Sequence, residues 1–155
     1  MGFRIRGLDS GQFRHLIGRD TEYLAQYGVE RMVVDGNPGF PCRVSLQDAE
    51  PGETVLFMNY VHQPALSPYR SSHAIFVREE ARPADLGENE VPDLLRIRLI
   101  SVRAFDAAGM MVDADIVEGQ RLEAAIERML STDSASYLHL HNAQRGCFIA
   151  RVDPV

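Results

Sequence analysis

Turn-forming residues divide this chain into short apolar runs, and this division limits what it can fold into. Three segments dense in Gly, Pro, Asn and Asp interrupt the first half of the chain, GNPGFP, QDAEPGE and HQPALSPYR. The runs between such segments are too short for long helices, and several alternate as strands do. We expect strands at residues 3–8, 31–35, 42–46, 54–61 and 73–78. The unbroken apolar VLFM predicts that the fourth of these is covered on both faces.

Helical spacing occurs in three places. Asp9 and Ser10 can cap a short helix, and a second short helix is expected over residues 20–27 with Gly28 as its stop signal. The segment QRLEAAIERML, residues 120–130, has apolar residues on one side and charges on the other, which predicts the longest helix. The expected fold class is α+β. It comprises a single domain over residues 1–155, with a mainly antiparallel sheet and the long helix on one face.

Two four-residue turns that end in Gly, DAAG at 106–109 and AQRG at 143–146, predict β-hairpins. In the first hairpin, segregation of apolar residues onto one face places Arg103 opposite Asp113 and Ser101 opposite Asp115. In the second, Ala143 is expected opposite Cys147. One face would then carry Leu138, Leu140, Phe148, Ala150 and Val152, and the other Tyr137, His139, His141, Cys147, Ile149 and Arg151.

Composition excludes several functions. The net charge is −6 and all 16 basic residues are Arg, so no lysine can form a Schiff base or complete a P-loop. The basic residues do not cluster, which argues against nucleic-acid binding. No segment of the sequence is long and apolar enough to be predicted as a membrane span. With only two cysteines, Cys42 and Cys147, we expect a cytoplasmic protein with free thiols.

His139 and His141 are the candidate metal ligands. Two histidines separated by one residue on a strand point to the same side and can share an ion, and Zn²⁺ would need a third ligand. Cys147 on the same face and His62 at the end of a strand are the two candidates for it. A polar, half-exposed sheet face without metal is the alternative interpretation.

A second candidate site would bind a small anionic metabolite. Arginine forks and hydroxyl groups are the donors that bind carboxylate or phosphate, and strand alternation at Pro41-Cys42-Arg43 directs Arg43 away from the core. The candidate ligand-binding residues are Arg43, Tyr69, Arg70, His139, His141, Asn142 and Arg145.

Two further functions stay open, and no cofactor is singled out. In a thiol- or metal-dependent enzyme, His62 or His141 would act as base and Cys147 or Cys42 as nucleophile. The second open function is a homodimeric interaction module, which would have no ligand pocket.

Four segments carry a resemblance to a known family. The motifs PCR, SPYR, and HNA followed by GC lie within the longer stretches PGFPCRVSLQDAEPGETVLFMNYVHQ, SPYRSSHAIFVRE, LISVRAFDAAGMMVDADIVEG and YLHLHNAQRGCFIARV. From about Phe3 to Val152 the chain resembles the bacterial domain of unknown function family 1203. The resemblance implies a shared fold and a bacterial source, and it brings no activity with it. The family's recurring polar positions correspond here to Cys42, Arg43, His62, Tyr69, Arg70, His141, Asn142, Arg145 and Cys147.

Overall fold

The computed structural model describes residues 2–155. Its strands are β1 (Phe3–Arg6), β2 (Glu30–Val33), β3 (Thr54–Gln63), β4 (Ser71–Arg78), β5 (Leu99–Phe105), β6 (Met111–Glu118), β7 (Tyr137–Asn142) and β8 (Phe148–Pro154). Its α-helices are α1 (Thr21–Ala25), α2 (Asp93–Arg96) and α3 (Leu122–Leu130), and 3₁₀ helices cover Ser10–Leu16 and Gly119–Arg121. No helix among these residues is long and apolar enough to cross a membrane.

The strands form two antiparallel sheets, and the predicted α+β class is confirmed. The larger sheet has the order β1-β8-β7-β5-β6, and the smaller one has β2-β3-β4. The strand containing VLFM, β3, is central in the smaller sheet, as its apolar run predicts. The expected first strand, β1, lies at the edge of the larger sheet.

The long helix covers one face of the larger sheet. Leu122, Ile126 and Met129 of α3 are buried in one hydrophobic cluster with Val102 of β5 and Leu140 of β7. The helix predicted at residues 120–130 is therefore confirmed, since the 3₁₀ turn Gly119–Arg121 leads directly into α3. The two short N-terminal helices are also present. Asp9, a predicted cap, accepts from Gly11 N, and the second helix, α1, has Asp20 at its N-cap, where it accepts from Tyr23 N.

The predicted register of the first hairpin is wrong. Arg103 lies opposite Ala114 and Ser101 opposite Ile116, because a β-bulge shifts the pairing between Ala104 and Phe105. Asp113 and Asp115 therefore face α3, where both form ion pairs with Arg128. Apolar segregation failed as a guide here because β6 is an edge strand with few buried side chains.

The second hairpin also contains a bulge, between Leu140 and His141. His141 lies opposite Phe148, so Phe148 shares the histidine face, while Ile149 belongs to the hydrophobic core with α3. Both assignments are the reverse of the prediction. The core positions of Leu138, Leu140, Ala150 and Val152 are confirmed.

The segment at residues 42–46 is not the predicted strand. Residues 43–45 form a turn that ends at Leu46, which has a positive φ of 53°. Without strand alternation, Arg43 is not directed outward but is 1% exposed, and Cys42 and Val44 are buried beside it.

Candidate functional site

Three buried histidines meet where the two sheets touch. His139 and His141 are two residues apart on β7, so strand geometry places both on the face turned away from α3. His62 is the next-to-last residue of β3, which extends from the smaller sheet to this face. Their exposed fractions are 9% for His62, 4% for His139 and 1% for His141.

The three rings converge closely enough to share one ion. Each residue offers one ring nitrogen, and these atoms all lie within 4.8 Å of one another. The ring centroids of His62 and His141 are 4.8 Å apart, and those of His139 and His141 are 6.2 Å apart. Within residues 2–155, these three are the one group of His, Cys, Asp or Glu that meets this spacing.

Each histidine has a buried ring nitrogen with no hydrogen-bond partner among the described residues, namely His62 Nδ1, His139 Nδ1 and His141 Nε2. His141 donates from Nδ1 to the carbonyl oxygen of Gly146 at 2.9 Å, which leaves a lone pair on Nε2 in the neutral ring. A backbone carbonyl on the second nitrogen is the usual support of a metal-binding histidine. His62 Nε2 lies 3.4 Å from Ser71 Oγ.

Burial and neighbouring positive charge keep the three rings neutral. Burial lowers the pKa of His62 to about 4 and that of His139 and His141 to about 3. The positive charge of Arg103 is a smaller contribution to the same three shifts. Neutral imidazoles are the form that binds metal, so near neutral pH these ligands do not need to lose a proton first.

Aromatic rings enclose the cluster. Phe148 stacks on His62 at a centroid distance of 5.6 Å and meets His139 edge-on at 5.1 Å. Phe105 and Tyr137 flank His139 at 5.0 and 5.3 Å. The bulge in the β7–β8 hairpin is thus what supplies one wall of the site, since it turns Phe148 toward the histidines.

The predicted site residues at the turn after Pro41 form a separate buried group. Arg43 donates from Nε to the carbonyl of Phe148 at 2.7 Å and from Nη1 to that of Pro41. Burial lowers the pKa of Arg43, and the thiols of Cys147 and Cys42 act in the opposite direction. Cys42 Sγ accepts from the backbone amides of Ser45 and Arg78, and both cysteines are free. The donors of Arg43 are thus engaged within the protein.

The remaining predicted site residues lie outside the histidine cluster. Arg70 donates to the carbonyl of Pro64, and the side chain of Asn142 accepts from Gln144 N at 3.1 Å. Tyr69 is 38% exposed and contacts Phe105 edge-on. Arg145 is exposed, and its carbonyl accepts from His73 Nε2 at 3.0 Å. The structure therefore groups His62 with His139 and His141, and leaves the arginine and tyrosine candidates around it.

Two residues of the site were not among the sequence candidates. Arg103 lies opposite His139 and Ser101 opposite His141 in the β5–β7 pairing. The sequence pattern does not identify these two residues, because β6 and α3 lie between β5 and β7 in the chain. Pairing between strands so far apart leaves no local signal. The wrong register of the first hairpin also assigned Arg103 an aspartate partner that it does not have.

An open groove lies elsewhere on the surface, away from the histidine cluster. It has a volume of about 800 Å³ and is lined by both acids and arginines, including Arg78, Arg82 and Asp85. Arg78 already forms an ion pair with Glu53 at 2.7 Å. Because its charges are mixed and partly paired, the groove is a weaker candidate than the histidine cluster.

Comparison with known proteins places the chain in a family. No curated protein and no solved structure matches it. The model of one protein family, described as protein of unknown function (DUF1203), matches residues 39–153 and so covers β3 to β8 with all three histidines. The chain belongs to the DUF1203 family.

Proposed function

We propose that this protein binds a divalent transition-metal ion, Zn²⁺ in the first instance, through His62, His139 and His141. The observation that carries the proposal is the convergence of three buried histidines, each of which places one ring nitrogen within 4.8 Å of those of the other two. Each ring also has a buried nitrogen without a hydrogen-bond partner among residues 2–155, which costs about 1–3 kcal/mol, and a ligand shared by the rings would offset such a cost.

The donor set favours zinc and its neighbours over calcium or magnesium. Imidazole nitrogens suit Zn²⁺, Cu²⁺, Fe²⁺ and Ni²⁺, whereas Ca²⁺ and Mg²⁺ require oxygen ligands. In a tetrahedral zinc site the nitrogens are about 3.3 Å apart, given Zn–N bonds of roughly 2.0–2.1 Å. The nitrogens, which lie within 4.8 Å of one another, would approach by up to about 1.5 Å through side-chain rotation to form such a site.

Three protein ligands leave the fourth position of a tetrahedral ion open, as catalytic zinc sites do. A metal held in this way polarises a bound oxygen and lowers the pKa of bound water. Metal-dependent chemistry on a small substrate is accordingly the activity we propose. The thiol alternative has less support, because neither cysteine belongs to the histidine cluster and both are buried.

The test is elemental analysis and zinc titration of the protein prepared without a His tag. Wild type should bind one Zn²⁺ per chain, and His62→Ala, His139→Ala and His141→Ala should each fall well below one. His15→Ala is the matched control, since His15 is exposed and packs against Tyr27. Cys147→Ser should keep full zinc content. Substoichiometric metal in wild type, or equal metal in all variants, would eliminate the site.

A further inference from the structure

Two arginines flank His139 in the larger sheet, and they differ in what they already bind. Arg103 of β5 and Arg151 of β8 both lie opposite His139. Arg151 lies over the ring of Tyr137 at 4.1 Å and pairs with Asp153 at 2.9 Å. Arg103 donates only to Ser101 Oγ, from Nε at 3.1 Å, and none of the carboxylates in residues 2–155 lies within ion-pair distance of it.

The free donors of Arg103 lie beside the histidines. Residues directly opposite on antiparallel strands have Cβ atoms about 4.5–5.5 Å apart on the same face, so Arg103 is a neighbour of His139. Its bond to Ser101, which lies opposite His141, holds the guanidinium along the same face. Arg103 is only partly buried, and its one side-chain hydrogen bond among the described residues comes from Nε, which leaves both terminal nitrogens without a protein partner there.

The two arginines beside His139 differ in charge compensation. Arg151 has Asp153 as its ion-pair partner, whereas no carboxylate among the described residues pairs with Arg103, whose positive charge acts on all three histidines. A divalent ion on three neutral ligands, next to Arg103, leaves several positive charges in a site of low exposure. Such charges need a counter-ion, and none of the carboxylates in residues 2–155 is within ion-pair distance of Arg103 to provide it.

Building on the proposed metal site, we propose that the open coordination position and Arg103 together bind a small oxyanion of the carboxylate class. One oxygen would bind the metal, and the guanidinium would donate to the anion from its planar edge, as arginine does to carboxylates. The rings of Phe105, Tyr137 and Phe148 pack around His139, so the anion we propose is a small one. The substrate class of this site is then a small carboxylate, and Arg103 is its specificity residue.

Acetate binding to the zinc-loaded protein, measured by calorimetry in a chloride-free buffer, tests this assignment. Arg103→Gln should keep one zinc per chain and bind acetate about 10- to 100-fold more weakly, the usual loss for a hydrogen bond to a charged group. Arg151→Gln is the matched control, because it removes the other arginine opposite His139 and should leave acetate affinity unchanged. Inorganic phosphate is the comparison ligand, and an affinity for phosphate equal to or above that for acetate would overturn the assignment to the carboxylate class.

The outcomes separate the two proposals. Absence of zinc from wild type overturns the metal site and this inference with it. Full zinc content without acetate binding, or with equal acetate affinity in wild type and Arg103→Gln, overturns this inference alone. So does acetate binding that is as strong without zinc as with it. If Arg103→Gln does not fold, Arg103→Lys takes its place, since lysine keeps the positive charge but lacks the planar guanidinium. An acetate affinity of Arg103→Lys equal to that of wild type would refute the assignment.

Discussion

Arg43 supports the site through the backbone. Its side chain is 1% exposed, and its two hydrogen bonds reach the carbonyls of Phe148, at the start of β8, and Pro41. It therefore ties the turn at residues 43–45 to the strand that carries the ring stacked on His62. A buried guanidinium is costly, and here backbone carbonyls and two thiols rather than carboxylates surround it.

We expect Arg43→Ala to lower the free energy of unfolding by about 2–4 kcal/mol, because it leaves a cavity and two buried carbonyls without their donor. Chemical denaturation measures this. Arg70→Ala is the control, since Arg70 is exposed and donates to one backbone carbonyl. The free energy of unfolding of this variant should stay within about 0.5 kcal/mol of wild type. Equal stability of the two variants would contradict the structural role given to Arg43.

At the level of elements, the contact between α2 and the start of the long helix depends on a residue without a side chain. A Cβ atom on Gly119 would lie 1.9 Å from the carbonyl oxygen of Leu95 and 2.6 Å from Cα of Arg96. Gly119 N also donates to the carbonyl of Arg98 at 2.8 Å. The backbones therefore approach so closely that only glycine fits.

Gly119→Ala should lower the free energy of unfolding by about 2 kcal/mol, because backbone atoms cannot rotate away from the added methyl group and α2 must move. Gly36→Ala provides the comparison, since a Cβ there meets nothing within 4 Å and φ is not positive. Thermal unfolding of the two variants measures the difference. A melting temperature for Gly119→Ala equal to that of Gly36→Ala would show that α2 moves without cost.

For the whole molecule, the buried histidines couple stability to pH. The pKa values of about 3 to 4 in the folded protein lie below the ordinary 6.5, so the unfolded chain takes up protons first as pH falls. Stability is complete above pH 6.5 and is lost on acidification toward pH 4. Most carboxylates titrate below this range, so the histidines dominate its upper part.

Between pH 7.5 and pH 5, each buried histidine should remove about 2 kcal/mol from the free energy of unfolding of the metal-free protein. Urea denaturation in the presence of a chelator measures the loss at the two pH values. His141→Gln should show a smaller loss than wild type, whereas His15→Gln should match wild type. A free energy that does not change between pH 7.5 and pH 5 would show that the rings are not held neutral.

Metal binding should stabilise the folded protein in proportion to its affinity. At a free Zn²⁺ concentration of 100 times Kd, the free energy of unfolding should rise by about 2.7 kcal/mol, because the unfolded chain does not bring the three histidines together. A thermal-shift titration with Zn²⁺ checks this, with His139→Ala as the variant that should not respond. An equal shift in both proteins would indicate binding at other residues.

Much of the local structure follows from local signals. The spacing of residues 120–130 predicts α3, Asp9 is a predicted cap, and Gly109 and Gly146 end hairpin turns with the expected positive φ, 80° and 81°. These succeed because a helix face, a cap or a tight turn is decided by residues a few positions apart. The same reasoning found His139 and His141 as a pair, since alternate residues of one strand share a face.

Only the tertiary structure decided how these parts combine into a site. It brought His62 from the smaller sheet to the pair on β7, registered Arg103 opposite His139, and turned Phe148 rather than Ile149 toward the rings. Bulges and contacts between the sheets set these arrangements, because the packing of distant strands contributes more to the free energy of folding than the apolar alternation within one hairpin. The sequence by itself determined the long helix, the two short N-terminal helices, the two hairpin turns and two of the three converging histidines, but not α2. Which third residue and which arginine joined them depended on strand pairing between segments far apart in the chain, where local patterns carry no information.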